Sequence, residues 1–291
     1  MTATSPISKG RPPAKRSPKS ALKRNPQLVI GLVAVGIVLA VAVLAPLLAP
    51  YDPERVVGPA LLEPSSGYWF GTDRSGLDVF SRVIYAPRID LLLAGVGTLL
   101  AALLGVPLGA LAGYAPGFVG ELISRVLDVV QAFPFFILAM CLLGIVGGSV
   151  PNIIAVLAVV NAPIYARLMF SQTQTLRNRT FVDAARVSGC RPRQVIFAHI
   201  LPNSMAPILA QMSVTLGMSI ILVAGVSFVG AGLQPPTAEW GVMIGDAAGG
   251  MFTGQWWPVI FPGVVLALTV VSFALVSNGI TAANEARSRR G

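Results

Sequence analysis

The chain is 291 residues long, with 54% apolar residues, only 11% charged residues and a mean hydropathy of +0.74. A soluble domain has about a quarter of its residues charged, so a chain this poor in charge could not cover a water-facing surface, whereas a bilayer-facing one needs no such cover. The formal net charge of +9 does not point to nucleic acid, because it is not spread along a helix or over a domain.

In chain order, the basic residues come first. Lys9, Lys15, Lys19 and Lys23, with Arg11, Arg16 and Arg24, occupy the first stretch, and no acid precedes Asp52. Residues 1–27 read as a basic cytoplasmic tail with a topogenic role, and such a tail can also touch anionic membrane lipid. The apolar run that follows is too long for a signal-peptide core, and no small-residue cleavage site ends it. A helical span needs about 20 mostly apolar residues. Residues 28–48 are the first, and residues 49–88 read as an external loop. Residues 89–280 hold five more: Leu91 to Tyr114, Val129 to Val146, Pro151 to Ala166, Ser204 to Val229, and Trp257 to about Val276. The fourth is extended to Phe170 with Arg167 snorkelling. Trp256 and Trp257 are placed as interfacial anchors. Pro107, Pro134 and Pro163 read as kinks, and Gly95, Gly105 and Gly109 as sites of close helix packing. Residues 171–203 form a loop between spans, and residues 281–291 a C-terminal tail. The expected fold class is all-α, a polytopic membrane protein with six transmembrane helices.

The loops set the sidedness. The 171–203 loop carries Arg177, Arg179, Arg186, Arg191 and Arg193 against Asp183, and the tail carries Arg287, Arg289 and Arg290. The loop after the fifth span has Glu239 and Asp246 and no base. Basic residues thus fall on alternate loops, which places both termini in the cytoplasm.

Other features are missing. The apolar runs have no Asp, Glu or Lys in their interiors, which argues against an ion-coupled secondary carrier, although polar side chains and carbonyls can bind sodium. No lysine follows Lys23, so a phosphate-cradling loop is absent. His199 has no companion at metal-ligand spacing, and there is no nucleophile elbow. No catalytic residue, metal or cofactor is expected in this chain. Cys141 and Cys190 are not expected to pair. Energy for driven transport must then come from another chain.

The stretch from Thr180 to Pro202 is punctuated like two helices. Thr180 suits a cap with Asp183 three residues on. Ala184 and Ala185 are strong helix formers. Gly189 suits the left-handed position past a helix end. Pro192 opens a second helix and Pro202 closes it before the next span. Phe181, Ala185 and Ser188 share one side of the first helix, and Val195, Ile196 and Ile200 form an apolar face on the second. A two-turn helix is marginal alone, so this is either a docking element or an ordinary loop folded back on the membrane ends.

The pattern Asp183-Ala184-Ala185, Gly189, Ile196, His199-Ile200-Leu201-Pro202 resembles the signature loop of permease subunits of ATP-binding-cassette importers, where Glu is usual at the position of Asp183. Phe70 to Arg82 resembles the external segment of C-type permeases of oligopeptide and dipeptide importers, which often have Arg at the position of Leu77. Arg125 to Asp128 with Phe133-Pro134, Gly232 to Gly241, and Trp257 with Phe261 to Gly263 extend the match. The segment from Ser277 to Ala282 departs from the pattern. The resemblance implies a cytoplasmic coupling helix formed by Thr180, Phe181, Asp183, Ala184, Ala185 and Gly189, with Ile196, His199, Leu201 and Pro202 behind it. His199 would be part of a polar helix contact.

It also implies partners: a second homologous permease subunit, two ATPase subunits that bind ATP and Mg, an external substrate-binding protein and a peptide substrate, in a bacterial inner membrane. Nickel chelates and glutathione are alternative cargoes. Gln131, Asn161 and Gln211 are candidates for the substrate path, against the common alternative that such groups bond between helices.

Overall fold

The computed structural model describes residues 25–114 and 117–288. The tail residues Lys9 to Arg24, Arg289 and Arg290, and the Arg287 side chain, lie outside what is described. The described chain is helical, with an isolated antiparallel bridge between Thr72 and Asp78.

Helix α1 (Pro26–Leu48) is apolar all round, with Pro26 in its first turn, where the missing N–H breaks no bond. It lies on the last helix, α9 (Trp257–Ser288). The backbones approach closely because Gly31 faces Val276 and Gly279 faces Leu28, and Asn25 Nδ2 donates to Gly279 O at 2.8 Å. Ser277 Oγ also donates to Ala210 O at 3.0 Å. The divergent Ser277–Ala282 segment is therefore a packing seat within one continuous helix, and residues 281–288 extend that helix.

Helix α2 (Val79–Tyr114) is at the centre. Its 36 residues run about 54 Å at 1.5 Å each, well beyond a hydrocarbon core of about 30 Å. Residues 79–88 are its first turns, so the expected loop ends at residue 78. Asp78 starts the helix: its Oδ2 accepts from Ser81 N at 2.8 Å and Ser81 Oγ at 2.6 Å, satisfying a first-turn donor. Small residues carry α2 against α5 (Val150–Leu176). A Cβ at Gly105 would lie 2.2 Å from Ala162 O, and one at Gly109 2.0 Å from Ala166 O. Gly97 and Gly113 also face α5, whereas Gly95 meets nothing within 4 Å and takes no part in this packing.

The third expected span is broken. α3 (Phe118–Gln131) and α4 (Phe135–Val146) meet at 86°. The residue before a proline is pushed out of the α region, and proline itself donates no hydrogen bond. Phe133-Pro134 thus ends one helix and starts another. α2 and α5, by contrast, run through Pro107 and Pro163 as helices. α4 ends where Gly148 abuts Gly232 O, at the opposite end of the bundle from the start of α3. The bent pair therefore makes one crossing, giving six in all.

α6 (Thr180–Val187) is followed by α7 (Pro192–Phe228). Pro202 does not close a helix before α7. Residues Val195–Ile200 form a π-helical turn, and Pro202 lies in the first turn of the α segment after it, where a missing N–H is tolerated. Asn203 Nδ2 and Ser204 Oγ donate to His199 O and Ile200 O at 2.6 and 3.0 Å. α8 (Trp240–Ala247) is too short to cross a membrane and packs against the end of α7, where Gly241 touches Ala224.

Candidate functional site

At the α6 end, the short helix is built into the bundle rather than hanging from it. Val182 and Ala185 are buried with Val195, Ile196 and Ile200, and with Ala110 of α2 and Met169 of α5. Arg179 is the N-cap, and neither Thr180 nor Asp183 makes the expected capping bonds; Asp183 pairs with Arg186 at 3.3 Å instead. The end of α6 is strongly specified. Gly189 has φ of +79°, its N–H donates to Arg186 O at 3.0 Å, and Cys190 N–H donates to Ala185 O at 3.1 Å. This is the Schellman arrangement, which only glycine enters without strain. Gln194 Oε1 accepts from Arg191 N–H at 2.8 Å and starts α7. Two caps thus fix the α6–α7 corner.

The sequence-derived candidates divide between two faces. Ala185 and Ile196 point into the chain, and Leu201 is half-buried. Thr180, Phe181, Asp183, Ala184 and Pro202 are exposed, as is Gly189. Among the described residues, the imidazole of His199 makes no hydrogen bond within the chain, and its carbonyl accepts from Asn203 Nδ2. Val187, missed from the sequence, is 90% exposed at the tip of α6, with Phe181 and Phe197 also exposed. Arg186 lies over the Tyr114 ring at 5.5 Å, and Arg177 donates to Gly113 O at 3.2 Å. The corner is therefore tied to the end of α2.

The three path candidates do not converge. Asn161 is buried and donates to Leu157 O at 3.0 Å and Ser219 Oγ at 3.3 Å, joining α5 to α7. Gln211 donates to Thr215 Oγ1 within its own helix at 3.3 Å. Gln131 is exposed at the α3–α4 break. Arg167 is paired with Asp128 of α3 at 2.6 Å.

The α8 end holds buried charge whose sequence positions lie in loops or, for Asp90, at a span end. Arg82 is buried, 3.4 Å from Asp73 and 3.2 Å from Thr237 O. Asp73 Oδ1 also accepts from Ser75 and Leu77 N–H at 2.8 and 3.0 Å. Asp90 is fully buried and accepts from Trp240 N–H at 3.4 Å. Glu239, read as an external acid, is also fully buried and caps α8, accepting from Gly241 and Val242 N–H at 2.8 and 2.7 Å. Burial raises the Glu239 carboxyl above its ordinary value, against the pull of those two N–H groups. Arg82, Ala86 and Asp90 repeat at helical spacing, a signal that α2 begins before its apolar run. Trp257 is likewise no interfacial anchor: it is buried and donates to Thr72 O at 3.1 Å, leaving Trp256 exposed. Asp246 pairs with Arg74. These contacts fasten the 49–78 loop over α8 and the start of α9.

Comparison with known proteins agrees with this architecture. Residues 105–290 match the family model of the binding-protein-dependent transport system inner membrane component, and residues 20–64 that of the N-terminal TM domain of oligopeptide transport permease C. The chain is similar to the dipeptide transport system permease protein DppC of Alkalihalophilus pseudofirmus, 36% identical over 260 residues, covering 89% of this chain and 85% of the relative. It is 35% identical over 285 residues to the glutathione transport system permease protein GsiD of Pectobacterium atrosepticum, covering 96% and 94%. Its fold is similar to a chain of the inward-facing MetNI methionine ABC transporter, with a TM-score of 0.56 and 22% identity over 70% of this chain and 95% of that one. The chain is a membrane permease subunit and belongs to the family of binding-protein-dependent transport system inner membrane components.

Proposed function

We propose that this permease pairs with a second, homologous one to enclose a single path for short peptides in a bacterial inner membrane, and that α6 is the helix through which ATPase subunits act on it. The observation that carries this reading is the two-faced α6. Its inner face is locked to α7, α2 and α5, while its outer face leaves Val187, Phe181 and Ala184 uncovered. A two-turn helix fixed on one side, with apolar Phe181, Ala184 and Val187 exposed beside Asp183 and Arg186 on the other, suits a groove on a partner, and its rigid mounting would carry a push into three spans.

The α6 end is read as cytoplasmic because Arg177, Arg179, Arg186, Arg191 and Arg193 collect there. Asn25 lies beside Gly279 at this end, which supports a cytoplasmic reading for the start of α1 and the end of α9. An external binding protein would deliver substrate at the α8 end. The chain needs no cofactor of its own; ATP and Mg belong to two ATPase partners. Nucleotide can shift the pore only if its binding differs between the pore's two states. The peptide cargo rests on the relatives named for dipeptides, and the relative named for glutathione fits the same class of short, zwitterionic peptide.

The test replaces Ala184 by Trp, which fills the exposed face without touching the packed one. ATPase co-purification and uptake of labelled dipeptide should both fall at unchanged permease level. Normal assembly with normal uptake would sink the docking role.

A further inference from the structure

The last turn of α1, the loop after it and the first turns of α2 enclose a cleft of ≈ 620 Å³ at the α8 end. Its walls bring together Pro46 of α1, Asp52 and Glu54 of the loop, and Tyr85, Arg88 and Ile89 of α2. It lies where the apolar run of α1 stops, at the level at which tyrosines gather in membrane proteins.

None of the charges in it forms a salt bridge among the described residues. Arg88 lies over the Tyr85 ring at 5.6 Å, which leaves the guanidinium edge free. Among the described residues it makes no salt bridge. Among the described residues the Asp52 carboxylate accepts only the Glu54 N–H, at 3.0 Å, and the Glu54 carboxylate accepts no hydrogen bond, though its charge also acts on the buried Arg82. One cation and two acids therefore face one space. Towards the bilayer the walls continue as apolar stripes. Val43 and Leu39 lie one and two turns from Pro46, Leu92 and Val96 one and two turns from Ile89, and all four are exposed.

We propose that this cleft holds the headgroup of a phospholipid carrying a phosphate and a primary ammonium. The phosphate sits on Arg88, whose planar fork suits two phosphate oxygens, and the ammonium between Asp52 and Glu54. The acyl chains follow the furrow of Val43, Leu39, Leu92 and Val96. Each part selects. The two acids disfavour an anionic headgroup, and they favour an ammonium with N–H donors over a quaternary one. The apolar furrow favours a lipid over a soluble zwitterion. The site is distinct from α6 and does not depend on the coupling role proposed for it.

The test is lipid retention by native mass spectrometry on the full chain purified with mixed lipids. Phosphatidylethanolamine should be retained about tenfold over phosphatidylglycerol and phosphatidylcholine, the effect of about one charge-assisted hydrogen bond. Arg88→Ala should lower retention of all three lipids, and the double variant Asp52→Asn/Glu54→Gln should remove the preference among them. All three residues are exposed, so thermal melts should be unchanged; if Arg88→Ala fails to fold, the double variant alone decides. Equal retention of the three lipids, an unaltered preference in the double variant, or displacement by inorganic phosphate or soluble phosphoethanolamine would each overturn the assignment. So would a cleft occupied by a partner subunit, without lipid, in the assembled transporter.

Discussion

Gly109→Ala tests what holds α2 against α5. The new Cβ would lie 2.0 Å from the Ala166 carbonyl oxygen and 2.8 Å from its Cα. Ordinary contact needs about 3.4 Å or more, and a helix carbonyl cannot rotate aside, so the two axes must part by over about 1 Å. Overpacking of this kind costs about 1–3 kcal/mol. Gly105, with its own position 2.2 Å from Ala162 O, relies on the same spacing, so the disturbance spreads along the interface. Gly95→Ala on the same helix is the control, because nothing lies within 4 Å of the added carbon. There the change only removes glycine's helix penalty and gains up to about 1 kcal/mol. Comparing the two alanine variants cancels the glycine-to-alanine effect they share, leaving a gap of about 1–3 kcal/mol. Thermal unfolding of the detergent-solubilised chain, followed by tryptophan fluorescence, should place Gly109→Ala several degrees below Gly95→Ala. Coincident melting curves would refute the close-packing account.

Three further outcomes are expected. Val187→Asp should leave thermal stability within about 0.5 kcal/mol, as for other surface changes, yet reduce dipeptide uptake; unchanged uptake would remove Val187 from the docking face. Arg82→Ala should destabilise by about 3–5 kcal/mol, because it leaves Asp73 without its cation in a poorly hydrated site, and an unshifted melting temperature would show the pair to be dispensable. Burial holds the Glu239 carboxyl above the ordinary 4.5, so its contribution to stability is fully present below about that pH and is lost as pH rises through the folded value. Glu239→Gln should therefore flatten melting temperature against pH over that window, and an identical slope in the variant would refute this.

Much of the framework is legible in the chain. Apolar runs locate the spans because a bilayer penalises any unsatisfied backbone group, and that rule is local. Gly189 is legible for the same kind of reason: the left-handed turn it makes is set by its own missing Cβ. The start of α2 is harder to see. Arg82 looks like a loop charge and Asp90 like one at a span end until Asp73 of the preceding loop and Thr237 and Trp240, far away in sequence, arrive to satisfy them. Glu239 reads locally as a loop acid and Trp257 as an interfacial anchor, and both are buried through contacts with distant elements.

By itself the sequence determined the all-α class, the six crossings, the charge asymmetry of the two ends and the position of the α6–α7 corner. Each follows from residues within a few turns of one another. Tertiary structure decided which face of α6 is spent on the chain itself, since Val182 and Ala185 are buried only once Val195, Ile196 and Ile200 fold back beside them. It also decided which glycines are indispensable, because Gly95 and Gly109 differ in their neighbours and not in their chemistry.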